Sequence, residues 1–367
     1  MKKILVILGI VVLFLGASAI PAIPAVNIQK TLAITSMQNI WNVDDDGIEH
    51  TTPDFNKIQD AIDNANSGDE IRVYAGNYLE NVVIDKRLDL IGGWNGTSTI
   101  DGGGSGNVVK ITSSANNVNI KKFTITNSGN YGVGKVFDAG IHILSGLNII
   151  TDNIISNNLG DGIYLSNSAG NEISNNIIIN NDYDGIGLFS IISGGNTISG
   201  NTIQDNGNDG IFMLQGHSNF MRKNNITGNK ENGIHLKRSR LNKIEKNYIG
   251  NSDIHGIYFE FLCIGNSITQ NNISGNADKG ILFKFQCDIN TITLNNFFKN
   301  DGNSSIFQTS HIGFLSCFLN GWRENYWDDY DPIIPNWWYL IWGRWGFIPW
   351  LNFDLYPVSN PYPWPPA

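Results

Sequence analysis

The stretch DGIFMLQGHSNFMRKNNITGN (209–229) is followed two residues later by NGIHLKRSRLNKIEKNYIGN (232–251), the same phrase with different polar letters. It extends both ways: AGIHILSGLNIITDNIISNN (139–158), DGIYLSNSAGNEISNNIIINN (161–181) and DGIGLFSIISGGNTISGNTIQDN (184–206) precede it, and HGIYFEFLCIGNSITQNNISGN (255–276) and KGILFKFQCDINTITLNNFFKN (279–300) follow. The Gly of each unit stands at 140, 162, 185, 210, 233, 256 and 280, a period of 22 to 25 residues. Repeats of that length are stacked coils, because one coil cannot bury its apolar face alone.

The residues one and three after each Gly are apolar, from Ile141 and Ile143 in the first unit to Ile281 and Phe283 in the last. That is period two, the mark of a strand rather than a helix. Two Asn columns follow, five residues apart: Asn148 and Asn153, Asn171 and Asn176, Asn196 and Asn201, Asn219 and Asn224, Asn242 and Asn247, Asn266 and Asn271, Asn290 and Asn295. If equivalent positions stack roughly 4.8 Å apart, each amide can donate to one neighbouring coil and accept from the other. Such a ladder satisfies groups that are costly to bury singly. Asn is also expected to supply the left-handed backbone of the bend.

The chain of 367 residues has 40 Gly, 41% hydrophobic and 16% charged residues, which suits short strands and frequent turns. Its net charge of −9 argues against a nucleic-acid partner, the short KRSR at 237–240 being the one basic run. Three cysteines are too few for a disulfide scaffold. Cys263 and Cys287 each follow their Gly by seven residues, so they should stack, either as a strained disulfide or as packed free thiols.

The opening MKKILVILGIVVLFLGASA (1–19) has the basic start, short apolar run and small-residue end of a secretory signal peptide, so a secreted or cell-surface protein is expected. Within 44–70 the apolar residues Phe55, Ile58, Ala61, Ile62 and Ala65 predict one amphipathic helix, with Asp54 as N-cap and Ser67-Gly68 ending it. A helix there would cover the open edge of the first coil. Asp44–Asp46 reads as a solvated acidic turn or a cation site. The tail from 325 to 367 holds prolines at 332, 335 and 349 within its apolar stretch, which excludes an uninterrupted membrane-spanning run. The expected organisation is a signal peptide at 1–19, a linker at 20–43, a cap with its helix at 44–69, coils at 70–320 and a closing segment at 321–367.

IQDAID (58–63), then GDEIRVYAGNYLENVVIDKRLDLIGG (68–93), then coils ending in repeated N-x-I resemble the NosD-like group of parallel β-helix proteins, and more distantly the pectin-active enzymes. NYWDDY and NFDLYP resemble that group's closing segment. The resemblance implies an all-β fold: a single-stranded right-handed parallel β-helix solenoid with an N-terminal capping helix and an aromatic, Pro-rich C-terminal cap. It does not fix an activity, since the superfamily holds lyases, hydrolases, esterases, epimerases and non-catalytic binders. The catalytic motifs of polygalacturonases, pectin methylesterases, mannuronan epimerases and pectate lyases are absent.

Two columns beside the Gly remain as candidate sites. One residue before it stand Asp161, Asp184, Asp209, Asn232, His255 and Lys279; two residues after it stand His142, Tyr164, Gly187, Phe212, His235, Tyr258 and Leu282. Both are expected to face outward. Asp161, Asp184 and Asp209 at strand spacing repel one another by roughly 1 kcal/mol per neighbouring pair in water, and Ca²⁺ would relieve them. Tyr164, Phe212, His235 and Tyr258 would offer ring faces to sugars. Asp-Gly turns and exposed strand aromatics account for both columns without a ligand. Lys237, Glu260 and Lys284 form a charge ladder in the next outward column.

The reading these residues favour is an exported protein that binds polysaccharide or a cell-surface glycan along its solenoid face. The second is a carbohydrate-active enzyme, a lyase, hydrolase or epimerase, using Asp161, Asp184 and Asp209 with His235 or His255 as acid or base. The third, implied by the resemblance alone, is a periplasmic factor in copper-enzyme maturation.

Overall fold

The computed structural model describes residues 38–130, 138–189, 194–300, 309–313, 320–328, 339–345, 348–354 and 356–363. The expected signal peptide, residues 20–37 of the expected linker, residues 131–137, residues 190–193 and Cys317 lie outside them.

Each repeat makes three short strands, and each strand pairs in parallel with its equivalent in the next coil. Around Gly233, for example, Ile234–Lys237, Lys243–Glu245 and Tyr248–Gly250 pair with Ile257–Glu260, Ser267–Thr269 and Asn272–Ser274. The chain is a right-handed parallel β-solenoid of about nine turns with three sheet faces. The first face begins after each Gly and forms a sheet of 12 strands. The second and third faces join into one sheet of 21. They join because Glu70–Leu79 and Asp89–Asp101, of 10 and 13 residues, are long enough to cross the corner, with register shifts between Arg72 and Tyr74 and between Tyr74 and Gly76.

Inward positions carry the apolar phase of the repeat. Ile150, Ile173, Ile198, Met221, Ile244, Ile268 and Ile292 line the second face, and Ile155, Ile178, Ile203, Ile226, Ile249 and Ile273 the third, all fully buried in one core. Burying each such side chain contributes about 1.5–3 kcal/mol. The strict phase follows, since a slip of one residue would turn an entire column to water.

The Asn columns form ladders, and there are three rather than two. Asn242 donates through Nδ2 to Asn266 Oδ1 at 3.0 Å, and Asn247 to Asn271 Oδ1 at 3.0 Å. Asn158, Asn181, Asn206 and Asn229 make a third ladder, interrupted by Ser252 and resumed at Asn276 and Asn300. The expectation that the ladder Asn itself takes the left-handed backbone is corrected. The residue before it does so: Asp152, Asn175, Gly200, Lys223, Lys246, Gln270 and Leu294 have φ between 54° and 67°. The ladder Asn needs its amide directed along the stack, and the preceding residue makes the bend.

At the N-terminal end, Ile40–Val43 pairs in parallel with Glu70–Val73, which corrects the linker at 20–43. Four residues are too few to display a repeat. The helix, α1, spans Ile58–Asn64 and buries Ile58, Ala61 and Ile62 against the same core. Asp54 does not cap it; its carboxylate accepts from Asn42 instead. Glu80 accepts the backbone N–H groups of Ile58 and Gln59, both at 2.9 Å, so the cap comes from a neighbouring strand end. Beyond 320, Gly321–Arg323 and Tyr326–Trp327 still pair in parallel with the preceding coil. Tyr339–Trp345 then pairs antiparallel with Ile348–Asp354. Cys263 and Cys287 are buried free thiols; Cys263 Sγ lies 3.2 Å from Leu236 O and Cys287 Sγ 3.2 Å from Lys284 O.

Candidate functional site

The column before each Gly faces inward at the coil's edge, not outward as expected. Asp161, Asp184 and Asp209 are 1%, 3% and 1% exposed. Each accepts the next coil's backbone N–H: Asp161 Oδ1 from Asp184 at 3.1 Å, Asp184 Oδ1 from Asp209 at 3.0 Å and Asp209 Oδ1 from Asn232 at 2.9 Å. Asn232 Oδ1 then accepts from His255, and His255 Nδ1 from Lys279. The column is a fourth ladder, running from side chain to backbone. Burial pushes the Asp161 carboxyl up to about 7 and the Asp184 carboxyl well above the usual range, with Asp161 and Asp209 adding to the latter. Burial likewise lowers His255 to about 4, against the pull of Asp278.

This geometry corrects the Ca²⁺ reading of the ridge. Among the described residues, the group that brings three ligand atoms within 4.8 Å of one another is Asp44, Asp46 and Glu49. The carboxylates of Asp161, Asp184 and Asp209 are turned along the stack toward N–H donors instead of converging. Asp44 is itself fully buried and accepts the N–H groups of Asp46, Gly47 and His50, which shapes its own loop.

The rings two residues after Gly form a continuous pile. His142 meets Tyr164 with centroids 4.8 Å apart, Phe212 meets His235 at 5.0 Å, and His235 stacks on Tyr258 at 4.6 Å and 27°. In the third coil, where Gly187 has no ring, Phe189 fills the place at 5.2 Å from Tyr164 and 5.1 Å from Phe212. The sequence signal for Phe189 is the missing side chain at Gly187. Successive rings are tilted by 50° to 64° except in the stacked His235–Tyr258 pair, so the column is a packed pile rather than a row of separate open faces. His142 and Tyr164 are buried, whereas Phe212, His235 and Tyr258 are partly exposed.

One place on the first face joins both columns. His235 Nδ1 lies 2.9 Å from Asp209 Oδ2, because the residue before Gly in one coil neighbours the second residue after Gly in the next. With the Asp209 carboxylate as acceptor, Nδ1 carries the proton and Nε2 is the ring atom turned toward Glu260. Nε2 is buried and lies 3.4 Å from Glu260 Oε2, an ion-pair contact when the imidazole is protonated. Glu260 is held by Lys237 Nζ at 2.9 Å. Partial burial alone would raise the Glu260 carboxyl, but Lys237 and His235 outweigh it and hold it below the usual range. Burial and then Glu260 raise the Tyr258 hydroxyl. Burial and Asp209 raise nearby Glu231.

The structure therefore brings Asp209, His235 and Tyr258 together, with His255 ringed against Tyr258 at 5.4 Å. Asp161 and Tyr164 lie two coils or more away, and Asp184 touches the group only through the buried ladder. Lys237 and Glu260 pair as the charge ladder predicts. The approach of Glu260 to His235 crosses from one column to another, and column-by-column reading misses it.

Residues 139–298 match the family model described as right handed beta helix region. The chain is similar to the Azotobacter vinelandii mannuronan C-5 epimerase AlgE4 A-module, with 16% identity and a TM-score of 0.54 over 73% of this chain and 89% of that one. It is also similar to the GH136 lacto-N-biosidase from Eubacterium ramulus, with 12% identity and a TM-score of 0.55 over 78% of this chain and 64% of that one. At these identities the likeness is one of fold. A comparison with curated proteins gives no match.

Proposed function

We propose that this β-helix binds polysaccharide on its first face, at Phe212, His235, Tyr258, Lys237 and Glu260. The observation that carries the reading is the Lys237–Glu260 pair set beside the partly exposed rings of Phe212, His235 and Tyr258. The polar groups of Tyr258, Lys237 and Glu260 suit sugar hydroxyls, and the apolar ring bodies suit the C–H faces of a pyranose. The two similar proteins named above are a mannuronan C-5 epimerase and a lacto-N-biosidase, both named for carbohydrate chemistry. Export from the cell, resting on residues 1–19, and a NosD-like role belong to the same proposal.

A second reading rests on the Asp209–His235 contact. A carboxylate orienting an imidazole, with Tyr258 and Glu260 beside its second nitrogen, can move a proton to or from a bound sugar through Glu260. Incubation with uronic-acid and neutral polysaccharides, reading retention, new reducing ends and unsaturated products, tests both. Retention that falls in Tyr258→Ala without product supports binding alone. Product that is lost in His235→Gln supports catalysis. Full retention in both folded variants rejects the site.

A further inference from the structure

Six cations of the fourth and fifth coils lie together on a chain whose net charge is −9. Arg222 and Lys243 stand on the second face, in strands Phe220–Arg222 and Lys243–Glu245, which pair directly. Lys223 and Lys246 occupy equivalent left-handed bends at one edge of that face, with φ of 54° and 56°. Arg238 and Arg240 occupy the other edge. None of the six makes an ion pair among the described residues, and Glu245 is the one acid on the band.

Lys223 and Lys246 are one strand spacing apart, and like charges at that distance destabilise the stack. Among the described residues Glu245, in register with Arg222, is the one acid on the band, which stays net positive, so an external anion is the natural counterpart. The surface is flat and about 10 Å across, the length of a three-residue strand, and it is two coils high. The second-face strands on either side, Thr197–Ser199 and Ser267–Thr269, carry no charge. A band so narrow fits one extended polymer rather than the plane of a bilayer. Phe220, 38% exposed with Lys243 Nζ 5.2 Å from its ring centre, adds an apolar surface beside a cation. One such ring suits a sugar better than a run of stacked bases, which needs a series of rings.

We infer that this band on the second face, formed by Arg222, Lys223, Arg238, Arg240, Lys243 and Lys246, is a separate docking surface for an anionic polysaccharide. The glycan class rests on the reading given under Proposed function; the band does not.

The test is affinity electrophoresis of the full chain through gels containing polygalacturonate or uncharged dextran, at about 50 and about 300 mM salt, between which a phosphate-like multi-charge contact weakens steeply. Retardation by polygalacturonate alone is expected, falling with salt. The variant carrying Arg222→Gln, Lys223→Gln, Lys243→Gln and Lys246→Gln should lose it by about tenfold or more, with unchanged circular dichroism, whereas Tyr258→Ala should keep it. Undiminished retardation of the fourfold variant overturns the inference. So does loss in Tyr258→Ala, which would place the polymer on the first face and support that site instead. Stronger capture of duplex DNA or of phosphatidylglycerol vesicles than of polygalacturonate also overturns it. Retention at the band with no glycan bound by Tyr258 and His235 would leave the inference standing and remove the first-face reading.

Discussion

Asn325 gives both its backbone N–H and its Nδ2 to one oxygen of Asp354, at 3.1 and 2.9 Å. Trp327 Nε1 gives a third hydrogen bond to the same oxygen at 3.1 Å. Every preceding member of this ladder is an Asn, which accepts from one coil and donates to the next. A carboxylate only accepts, so Asp354 terminates the ladder without leaving a donor over.

Removing that terminator takes the acceptor from the Asn325 N–H and the Trp327 Nε1–H and leaves Asn325 Nδ2 its bond to Ile292 O, a cost of about 1–3 kcal/mol for each buried donor bond lost. Asp354→Ala is expected to lose several kcal/mol of stability in urea unfolding, and Asp354→Asn, which keeps the acceptor oxygen, a small part of that. Equal losses in the two variants would show that the ladder's end bears no special demand.

Ile289 has φ of 58° and is 58% exposed, in the bend before Asn290. A β-branched residue there costs about 1–2 kcal/mol, and little packing opposes its removal. Equivalent bends carry Gly170, Gly195 and Gly265. Ile289→Gly should raise the melting temperature by about one or two degrees, after the entropy cost of glycine is subtracted. A lower melting temperature would mean that the exposed side chain has a partner.

The buried carboxyls of Asp161 and Asp184 have raised pKa values, so the folded state holds their protons more tightly than the unfolded chain. Their contribution is fully present below the unfolded value of 3.8 and is lost as pH rises through the folded value, about 7 for Asp161. Asp184→Asn keeps the acceptor oxygen and removes the charge. Its melting temperature should exceed the parent's at pH 8, and the advantage should shrink toward nothing near pH 4. An advantage independent of pH would contradict the assignment.

Glu80 accepts from the first two N–H groups of the helix. Glu80→Ala should cost about 1–2 kcal/mol, measured by urea unfolding with amide exchange at Ile58 and Gln59. Asp54→Ala should leave exchange at those two amides unchanged, since its bonds go to Asn42.

Glu80 illustrates a limit that recurs. Local spacing places the helix correctly but selects Asp54 as its cap, because the true partner is 22 residues away in the chain. Phe189, Glu260 and the third Asn column were each present in the letters, yet their roles depend on contacts between columns. The Cys263 and Cys287 stack and the Lys237–Glu260 pair, which stay within one column, follow directly from position.

The repeat of Gly, alternating apolar residues and Asn was enough to establish the parallel coils, their period and two of the buried Asn ladders. This works because stacking converts one-dimensional spacing into three-dimensional neighbourhood: the same letter in successive units must meet itself. Which way a column faces, and which atoms of neighbouring columns meet, came from the folded chain. The Asp161–Asp184–Asp209 column turned inward because backbone N–H groups at the coil edge required acceptors, and His235 met both Asp209 and Glu260 because side chains lean across coils by distances that no period encodes.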